Sequence, residues 1–351
     1  MLLNPQPVTV QVIIPARNEE DCLGRCLDSL VSQRGISFQI TVVDDGSTDS
    51  TRAIAESFPG VRVINAGEPQ NGLSGKCNAL MKGVEGSTAE WLLFTDADTF
   101  HYPGSLAAAV KEAEDRGVDL LSYSPEQETG SWYESMLMPV VYAELTRTYP
   151  TEKINDPADP AVAANGQYIL VRRGVYQGLG GHQVVAHKLL EDVELARIFK
   201  QTNHKIWFRF GEGRVKTRMY RSFAAMWEGW TKNLVLLFRH PLLLAGLRGL
   251  EFMAILAFAA GSAILVVNKS ATAAVAACCA AVLLWTLFLF RIRQAHFSWN
   301  ANLLALFGLP LFSSLLIRSW LHSRVRGAVT WKGRKYSNTA PEGVQKSSTQ
   351  E

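Results

Sequence analysis

The sequence predicts an α/β domain with a mainly parallel open sheet, followed by a membrane region. Short apolar strands alternate with helices over the first 120 residues, which is typical of such sheets. Beyond residue 235, long apolar stretches reach the length of membrane-spanning helices. Charge follows the same division: the first 230 residues contain 22 basic and 29 acidic residues, and the remainder contains 13 basic and three acidic ones. The acidic part indicates a soluble domain, and the basic part suits anionic lipid.

The strands and helices follow in order. We predict strands at 10–14, 38–43, 61–65, 91–94 and 119–123, a helix with apolar positions from Cys22 to Leu30, and helices at 51–57, 77–84 and 105–116. From residue 126 to 159 the periodicity fades, and prolines at 139, 150, 157 and 160 interrupt the chain. We therefore interpret this segment as an insertion with aromatic and methionine side chains for an apolar groove. A turn followed by a strand over 163–172, and a helix that starts near His187, complete the domain.

Two adjacent carboxylates, Asp44 and Asp45, follow the predicted strand at 38–43. Gly46 permits the tight turn that leads into the next helix. Ligands of open α/β sheets bind at the carboxyl ends of the strands. An acidic strand-to-helix turn alone would also explain this pattern, so the argument depends on the rest of the chain.

Asp96 and Asp98 follow another apolar strand, at 91–94. Alternation in an extended chain would point both carboxylates to the same side. Paired carboxylate oxygens suit Mg²⁺ or Mn²⁺, and such sites leave coordination positions for water and substrate phosphates. The pattern therefore predicts a divalent metal ion as cofactor.

Lys76 and the pair Glu191-Asp192 stand at the predicted starts of two helices. Lys76 follows a glycine-rich loop without P-loop spacing, and it either meets a diphosphate at the helix N-terminus or is a solvated lysine. The acidic pair either complements a helix dipole or performs acid–base chemistry. The residues alone leave both choices open.

Four motifs in this order and spacing resemble the family 2 glycosyltransferases, which are inverting enzymes with the glycosyltransferase A fold. The motifs are Ile13-Ile14-Pro15-Ala16-Arg17-Asn18-Glu19, Val43-Asp44-Asp45-Gly46-Ser47-Thr48-Asp49, Asp96-Ala97-Asp98 and Glu191-Asp192. The resemblance covers roughly residues 8–235 and implies an α/β nucleotide-binding sheet with flanking helices, followed by C-terminal transmembrane helices.

The resemblance also implies roles for individual residues. The nucleoside would be surrounded by Pro15, Arg17, Glu19, Asp44 and Asp45. Asp96 and Asp98 would hold the diphosphate through the metal ion, with Lys76 beside them. Asp192 would be the catalytic base, with Glu191 next to it.

A second, shorter resemblance concerns the acceptor. The ending Trp331-Lys332-Gly333-Arg334-Lys335-Tyr336 is similar to that of members directed to carotenoid acids, hopanoid-type lipids or ceramide, so Trp331 and Arg334 are candidates for the acceptor or product region. Processive members carry a QxxRW motif. Here Trp227 and Trp230 stand in that region without an arginine before Trp230, which disfavours polymer synthesis.

These features predict a membrane-bound, non-processive glycosyltransferase that moves a sugar from a nucleotide-diphosphate donor to a lipid. A polyprenyl-phosphate sugar transferase or a processive polysaccharide synthase is the alternative. A nucleotidyltransferase would need a glycine-rich loop near the N-terminus, which 15–19 does not supply, and a membrane-tethered scaffold would not need the four carboxylate positions. We expect no nucleic-acid partner.

The membrane region is predicted at 236–320, between a cytoplasmic catalytic domain at 1–235 and a basic cytoplasmic tail at 321–351. Stretches 250–267 and 271–290 would span as a hairpin, whereas 303–317 either spans or re-enters. Basic residues follow both 290 and 317, and placing both groups in the cytoplasm favours two spans. The expected location is the cytoplasmic or cell inner membrane, with several passes. The five scattered cysteines, without metal-ligand spacing, are expected to be reduced.

Overall fold

The computed structural model describes residues 9–69, 73–188 and 190–325, of which residue 325 is described by its backbone alone. It also describes the backbone at 328–331 and 334–337. The strands are β1 (Val10–Ala16), β2 (Phe38–Asp44), β3 (Val61–Asn65), β4 (Trp91–Thr95), β5 (Thr99–His101), β6 (Leu120–Ser124), β7 (Glu126–Gln127), β8 (Tyr168–Arg172), β9 (Ile206–Phe210), β10 (Val215–Thr217), β11 (Ala328–Trp331) and β12 (Arg334–Ser337). The α-helices are α1 (Leu23–Val31), α2 (Thr51–Glu56), α3 (Gly75–Val84), α4 (Ser105–Arg116), α5 (Trp132–Thr148), α6 (Thr151–Asn155), α7 (Arg173–Gly178), α8 (Glu191–Gln201), α9 (Phe223–Leu237), α10 (Pro241–Val267), α11 (Ala271–Arg293) and α12 (Trp299–Val325).

The main sheet has seven strands in the order β3-β2-β1-β4-β8-β6-β9. Strands β1 to β4 are parallel where they pair, as predicted, because a helix connects each of them to the next. Strand β8 runs antiparallel to both of its neighbours, so the sheet is mixed. The direction of β8 depends on how the long segment before it folds, and the residues of the strand itself do not indicate that.

The parallel pairing brings three strand ends to one edge of the sheet. Ala16 at the end of β1 pairs in register with Asp44 at the end of β2, and β4 ends beside β1 at Thr95. Residues that follow these strands therefore meet at the edge where open α/β sheets bind ligands. This edge holds the predicted site residues of the first hundred positions.

The segment from 126 to 159 is not the irregular insertion that the sequence predicted, because it contains the 17-residue helix α5. Its side chains from Leu137 to Val141 are all buried, and Pro139 lies within the helix. A helix that is buried nearly all round shows no polar face, so its sequence lacks the usual 3.6-residue pattern.

Three C-terminal helices, α10, α11 and α12, are long and apolar enough to cross a membrane. Helix α10 runs unbroken from Pro241 to Val267, and so begins nine residues before the predicted span at 250–267. Helix α12 extends well beyond the predicted stretch 303–317 at both ends. Large apolar side chains are exposed along α10 and α11, as expected of surfaces that face lipid.

A buried ion-pair network joins the membrane helices to the sheet domain. Glu144 of α5, 1% exposed, accepts from Arg291 Nη1 at 2.7 Å and lies 2.9 Å from Arg248 Nε. Glu251 lies 2.7 Å from each of these two arginines. Removing one member would leave buried charges unpaired, so the network fixes how α5 meets α10 and α11.

Candidate active site

The loops that follow β1 and β2 are fixed to each other by hydrogen bonds. The backbone N–H of Glu19 donates to Thr51 Oγ1 at 2.7 Å, and that of Asn18 donates to Ser47 Oγ at 3.1 Å. Asn18 Oδ1 accepts in turn from the backbone N–H of Thr48 at 2.9 Å. The motifs at 13–19 and 43–49 are therefore held together as one rigid pair of loops, which we call the rim.

The predicted nucleoside residues lie within this rim. Asp44 and Asp45 are buried, and Asp44 Oδ1 accepts from the backbone N–H of Ser47 at 2.9 Å. Arg17 Nη1 donates to the backbone oxygen of Asp45 at 2.7 Å and lies 3.6 Å from its carboxylate. Pro15 is in β1 beside β2, so the fold brings the predicted set together.

The Asp96-Ala97-Asp98 motif forms a turn, closed by the backbone N–H of Thr99 on the carbonyl oxygen of Asp96 at 3.3 Å. The extended geometry assumed from the sequence therefore ends at Thr95, and the expectation of two carboxylates aligned by strand alternation was wrong. Burial first, and then the charges of Asp96 and Glu19, raise the pKa of Asp98 to about 7. The two carboxylates are thus close enough to repel each other.

Lys76, in the first turn of α3, links the two halves of the predicted site. Its Nζ lies 2.8 Å from Asp96 Oδ1 and 3.7 Å from Glu191 Oε1. Burial alone would lower the pKa of Lys76, but the neighbouring carboxylates raise it above its ordinary value, so the ammonium stays charged. The Lys76 side chain is 35% exposed and is ion-paired, so it differs from a surface lysine without partners.

Asp192 begins α8 close to Lys76, and both of its carboxylate oxygens accept backbone hydrogen bonds. Oδ2 accepts from Gly166 at 2.9 Å, and Oδ1 accepts from Val193 at 2.8 Å. Burial raises the pKa of both Asp192 and Glu191, although Lys76 and the backbone donors oppose this. A raised pKa suits a group that accepts a proton near neutral pH.

Sequence reasoning predicted a turn before the strand at 163–172 but did not assign Asn165-Gly166-Gln167 to the site, where this turn connects Asp98 to Asp192. Gly166 contacts Asp192 as described, and Gln167 Nε2 donates to Asp98 Oδ2 at 3.4 Å and to Thr217 Oγ1 at 3.2 Å. A Cβ atom at Gly166 would lie 3.1 Å from Lys76 Nζ and 3.4 Å from Asp192 Oδ2, so a larger residue there would press on both side chains. In the sequence, the only signal of this role was a glycine before an apolar strand.

The predicted acceptor residues are only partly brought to the site. Trp230 is buried between Tyr142 and Tyr220. Burial raises the pKa of both tyrosines, and the charge of Asp98 raises it further. This aromatic cluster therefore lies near the site. Trp227 stacks on Phe223, one turn earlier in α9. The strands β11 and β12 pair Trp331 with Arg334, but those two side chains lie outside the described structure.

The residues around Asp98 fit a divalent cation that completes its shell with substrate and water. Asp98 Oδ1 is buried and has no hydrogen-bond partner among the described residues, which leaves a hard oxygen available. Within the same part of the chain, no group of three or more His, Cys, Asp or Glu residues could hold a metal ion by itself. All five cysteines are free.

Comparison with known proteins agrees with this geometry. The sequence model of glycosyl transferase family 2 matches residues 11–180. The chain is 29% identical over 354 residues to the 4,4'-diaponeurosporenoate glycosyltransferase of Staphylococcus aureus strain MRSA252, covering 95% of this chain and 90% of the relative. The same enzyme from strain USA300 is also 29% identical, over 356 residues.

A solved structure has the same fold. The mannosyltransferase PcManGT from Pyrobaculum calidifontis, in complex with GDP-Man and Mn²⁺, is 18% identical, with a TM-score of 0.50 that covers 92% of this chain and 88% of that chain. The glycosyltransferase A-type architecture predicted from the motifs is therefore confirmed. Residues 11–180 match the model of glycosyl transferase family 2, and this match together with the similar enzyme over 95% of the chain supports glycosyltransferase activity.

Proposed function

We propose that this chain is a membrane-bound, non-processive, inverting glycosyltransferase that moves one sugar from a nucleoside-diphosphate donor to a hydroxyl or carboxyl group of a lipid. The observation that carries this proposal is the set of contacts Asp98–Gln167, Gly166–Asp192 and Lys76–Glu191, which lie at one edge of the sheet, next to the buried aromatic cluster of α5 and α9. The relatives that act on a carotenoid acid support a lipid acceptor.

The donor would lie across the ends of β1, β2 and β4. Arg17, Asp44 and Asp45 would hold the nucleoside, within the rigid rim of hydrogen-bonded loops. We propose that Asp98 and Asp96 hold Mg²⁺ or Mn²⁺, which when bound supplies positive charge to the departing diphosphate. Lys76 already lies at Asp96 and adds a second positive charge there.

Asp192 would act on the acceptor. The acceptor oxygen forms a bond to the anomeric carbon while the bond from that carbon to the diphosphate oxygen breaks, and the electron pair leaves with the nucleoside diphosphate. The proton of a hydroxyl acceptor passes to the Asp192 carboxylate, with Glu191 beside it. Direct displacement inverts the anomeric centre, and the two backbone N–H donors keep the carboxylate in place.

The lipid would enter along the aromatic cluster near Trp230, because that cluster connects the site to the membrane helices through α5 and α9. We further propose that the sheet domain lies in the cytoplasm, beside the cytoplasmic membrane, and that α10 and α11 form a spanning hairpin.

The test is transfer by the full-length protein in lipid nanodiscs, with a panel of labelled nucleotide sugars and with lipid alcohols and lipid carboxylic acids as acceptors. We expect label in the extracted lipid for one donor, and loss of transfer in excess EDTA that Mn²⁺ restores. Label that remains water-soluble with every donor, as free sugar or polymer, would contradict the proposal.

A further inference from the structure

Helix α12 differs from the other two apolar helices in its surroundings. Of its apolar stretch, 56% is buried inside the protein, compared with 6% for α10 and 11% for α11. Its buried face packs on α5 and α9: a Cβ atom at Gly308 would overlap the carbonyl oxygen of Met136, and Ser319 Oγ accepts from the backbone N–H of Val235 at 2.9 Å. Both partner helices belong to the sheet domain and carry charged residues.

A contact near the midpoint of α12 fixes the position of this helix along the axis of the α10–α11 hairpin. Ser313 Oγ donates to the carbonyl oxygen of Ala245 in α10 at 2.9 Å. Arg248, three residues after Ala245, belongs to the ion-pair network with Glu144. Charged groups are costly in hydrocarbon, so this network marks the membrane edge of the hairpin.

A spanning helix would have its midpoint about 15 Å inside that edge, at half of the hydrocarbon thickness. Ala245 instead lies about 4.5 Å before Arg248 along α10, on the side away from the hairpin turn. The midpoint of α12 is therefore outside the hydrocarbon layer that the hairpin defines.

The opposite face of α12 is an exposed apolar stripe. It consists of residues at helical spacing that are 44–58% exposed: Trp299, Leu303, Phe307, Ile317 and Leu321. Basic groups lie at this face and at both ends: Arg293 lies over the Trp299 ring at 4.4 Å, Arg318 lies 5.8 Å from the Trp227 ring, and Arg324 lies over Trp320 at 4.9 Å. The chain contains no Asp or Glu from residue 252 to 325.

We propose that α12 lies in the plane of the bilayer surface, on the side of the sheet domain, with its stripe in the acyl-chain boundary and its arginines at anionic phospholipid headgroups. The charge of the surface and its continuity with the apolar hairpin favour a lipid bilayer as the partner. This placement deepens the proposed membrane location, and it sets the aromatic cluster of α5 and α9 at the lipid surface.

The first test is the side of the membrane on which each end of α12 lies. In a variant without the five native cysteines, single cysteines are placed by Ser298→Cys and Ser323→Cys at the two ends of α12, and by Ser270→Cys at the hairpin turn as the matched control. All three positions are exposed. A membrane-impermeant maleimide is added to sealed vesicles of either orientation, and labelling in detergent gives the total.

We expect Ser298→Cys and Ser323→Cys to react from the same side and Ser270→Cys from the opposite side. Reaction of the two α12 positions from opposite sides would show that α12 spans, and would overturn the proposal. Labelling does not depend on sugar transfer, so this result and the proposed reaction can fail separately.

The second test concerns depth and lipid charge. A fluorescent label at Phe307→Cys, with Val282→Cys in α11 as control, is measured in nanodiscs with quenchers at the headgroup or at the chain end. We expect the label at 307 to be quenched from the headgroup and the label at 282 to be quenched from the chain end. The headgroup quenching at 307 should be stronger in anionic lipid. The double variant Arg318→Gln with Arg324→Gln should reduce it at least twofold. Equal depth at both positions, or no response to lipid charge, would contradict the proposal.

Discussion

Replacing Asp192 by Asn tests the assigned base, and the structure gives the side effect of the change. Both carboxylate oxygens accept backbone N–H groups, at 2.9 and 2.8 Å. An amide has only one oxygen, so its NH₂ group must face either Gly166 or Val193. We expect this mismatch to lower the free energy of unfolding by about 1–3 kcal/mol, which leaves the protein folded.

The effect on rate depends on the acceptor. With a hydroxyl acceptor, loss of the base should reduce turnover by roughly a hundred- to ten-thousand-fold. A carboxylic acid, with an ordinary pKa near 4, arrives already ionised and has no proton to give up. Asp192→Asn should therefore retain most of its turnover on a lipid acid and lose it on a lipid alcohol.

The assay measures turnover with each acceptor class and, separately, donor affinity. Glu191→Gln is the matched control because it removes a neighbouring charge at Lys76, at 3.7 Å, without removing the assigned base. We expect its effect to be milder. Normal turnover of Asp192→Asn on an alcohol, a similarly large loss on an acid, or donor affinity that falls in parallel would refute the assignment.

Three other predictions follow from single contacts. Asp98→Asn should weaken Mn²⁺ binding, measured by calorimetry, at least tenfold while the melting temperature changes little, because it removes the negative charge of the buried Asp98 carboxylate; unchanged binding would exclude Asp98 as a ligand. Glu144→Gln should destabilise the protein in detergent by about 3–5 kcal/mol, because Arg248 and Arg291 lose the more deeply buried of their two carboxylate partners, whereas Arg147→Gln, at a 57% exposed side chain, should cost less than about 1 kcal/mol; equal effects would contradict this. Gly308→Ala should lower the melting temperature because its Cβ would overlap α5, while Gly246→Ala, with open space around it, should not; equal melting temperatures would show that α12 does not pack so closely.

The sequence located most of the sheet because β-branched and apolar runs end in carboxylates, a pattern that depends only on neighbouring residues. The strands β1, β2, β3 and β4 and helix α4 were found within a residue or two at each end. Helix α5 was missed since burial on all sides removes the amphipathic pattern. The direction of β8 was missed because it is decided by how a long segment folds back.

The sequence predicted those residues of the candidate site that belong to recognisable motifs. Asp44, Asp96 and Asp192 come from motifs, and the structure brings them to one edge. Gly166 acts through its backbone N–H and Gln167 through a side-chain amide, and neither residue belongs to a motif that indicates such a contact. The turn at Asp96 was also missed, because a strand pattern cannot show where the strand stops.

The most direct test of the central claim is the structure of the lipid product made from an α-linked nucleotide sugar. Purified full-length protein is given the donor that labels lipid, and the product is examined by mass spectrometry and by NMR of the anomeric proton. A lipid that carries one sugar in the β configuration is the expected result. A product with an α linkage, or with a chain of sugars, would contradict a single inverting transfer.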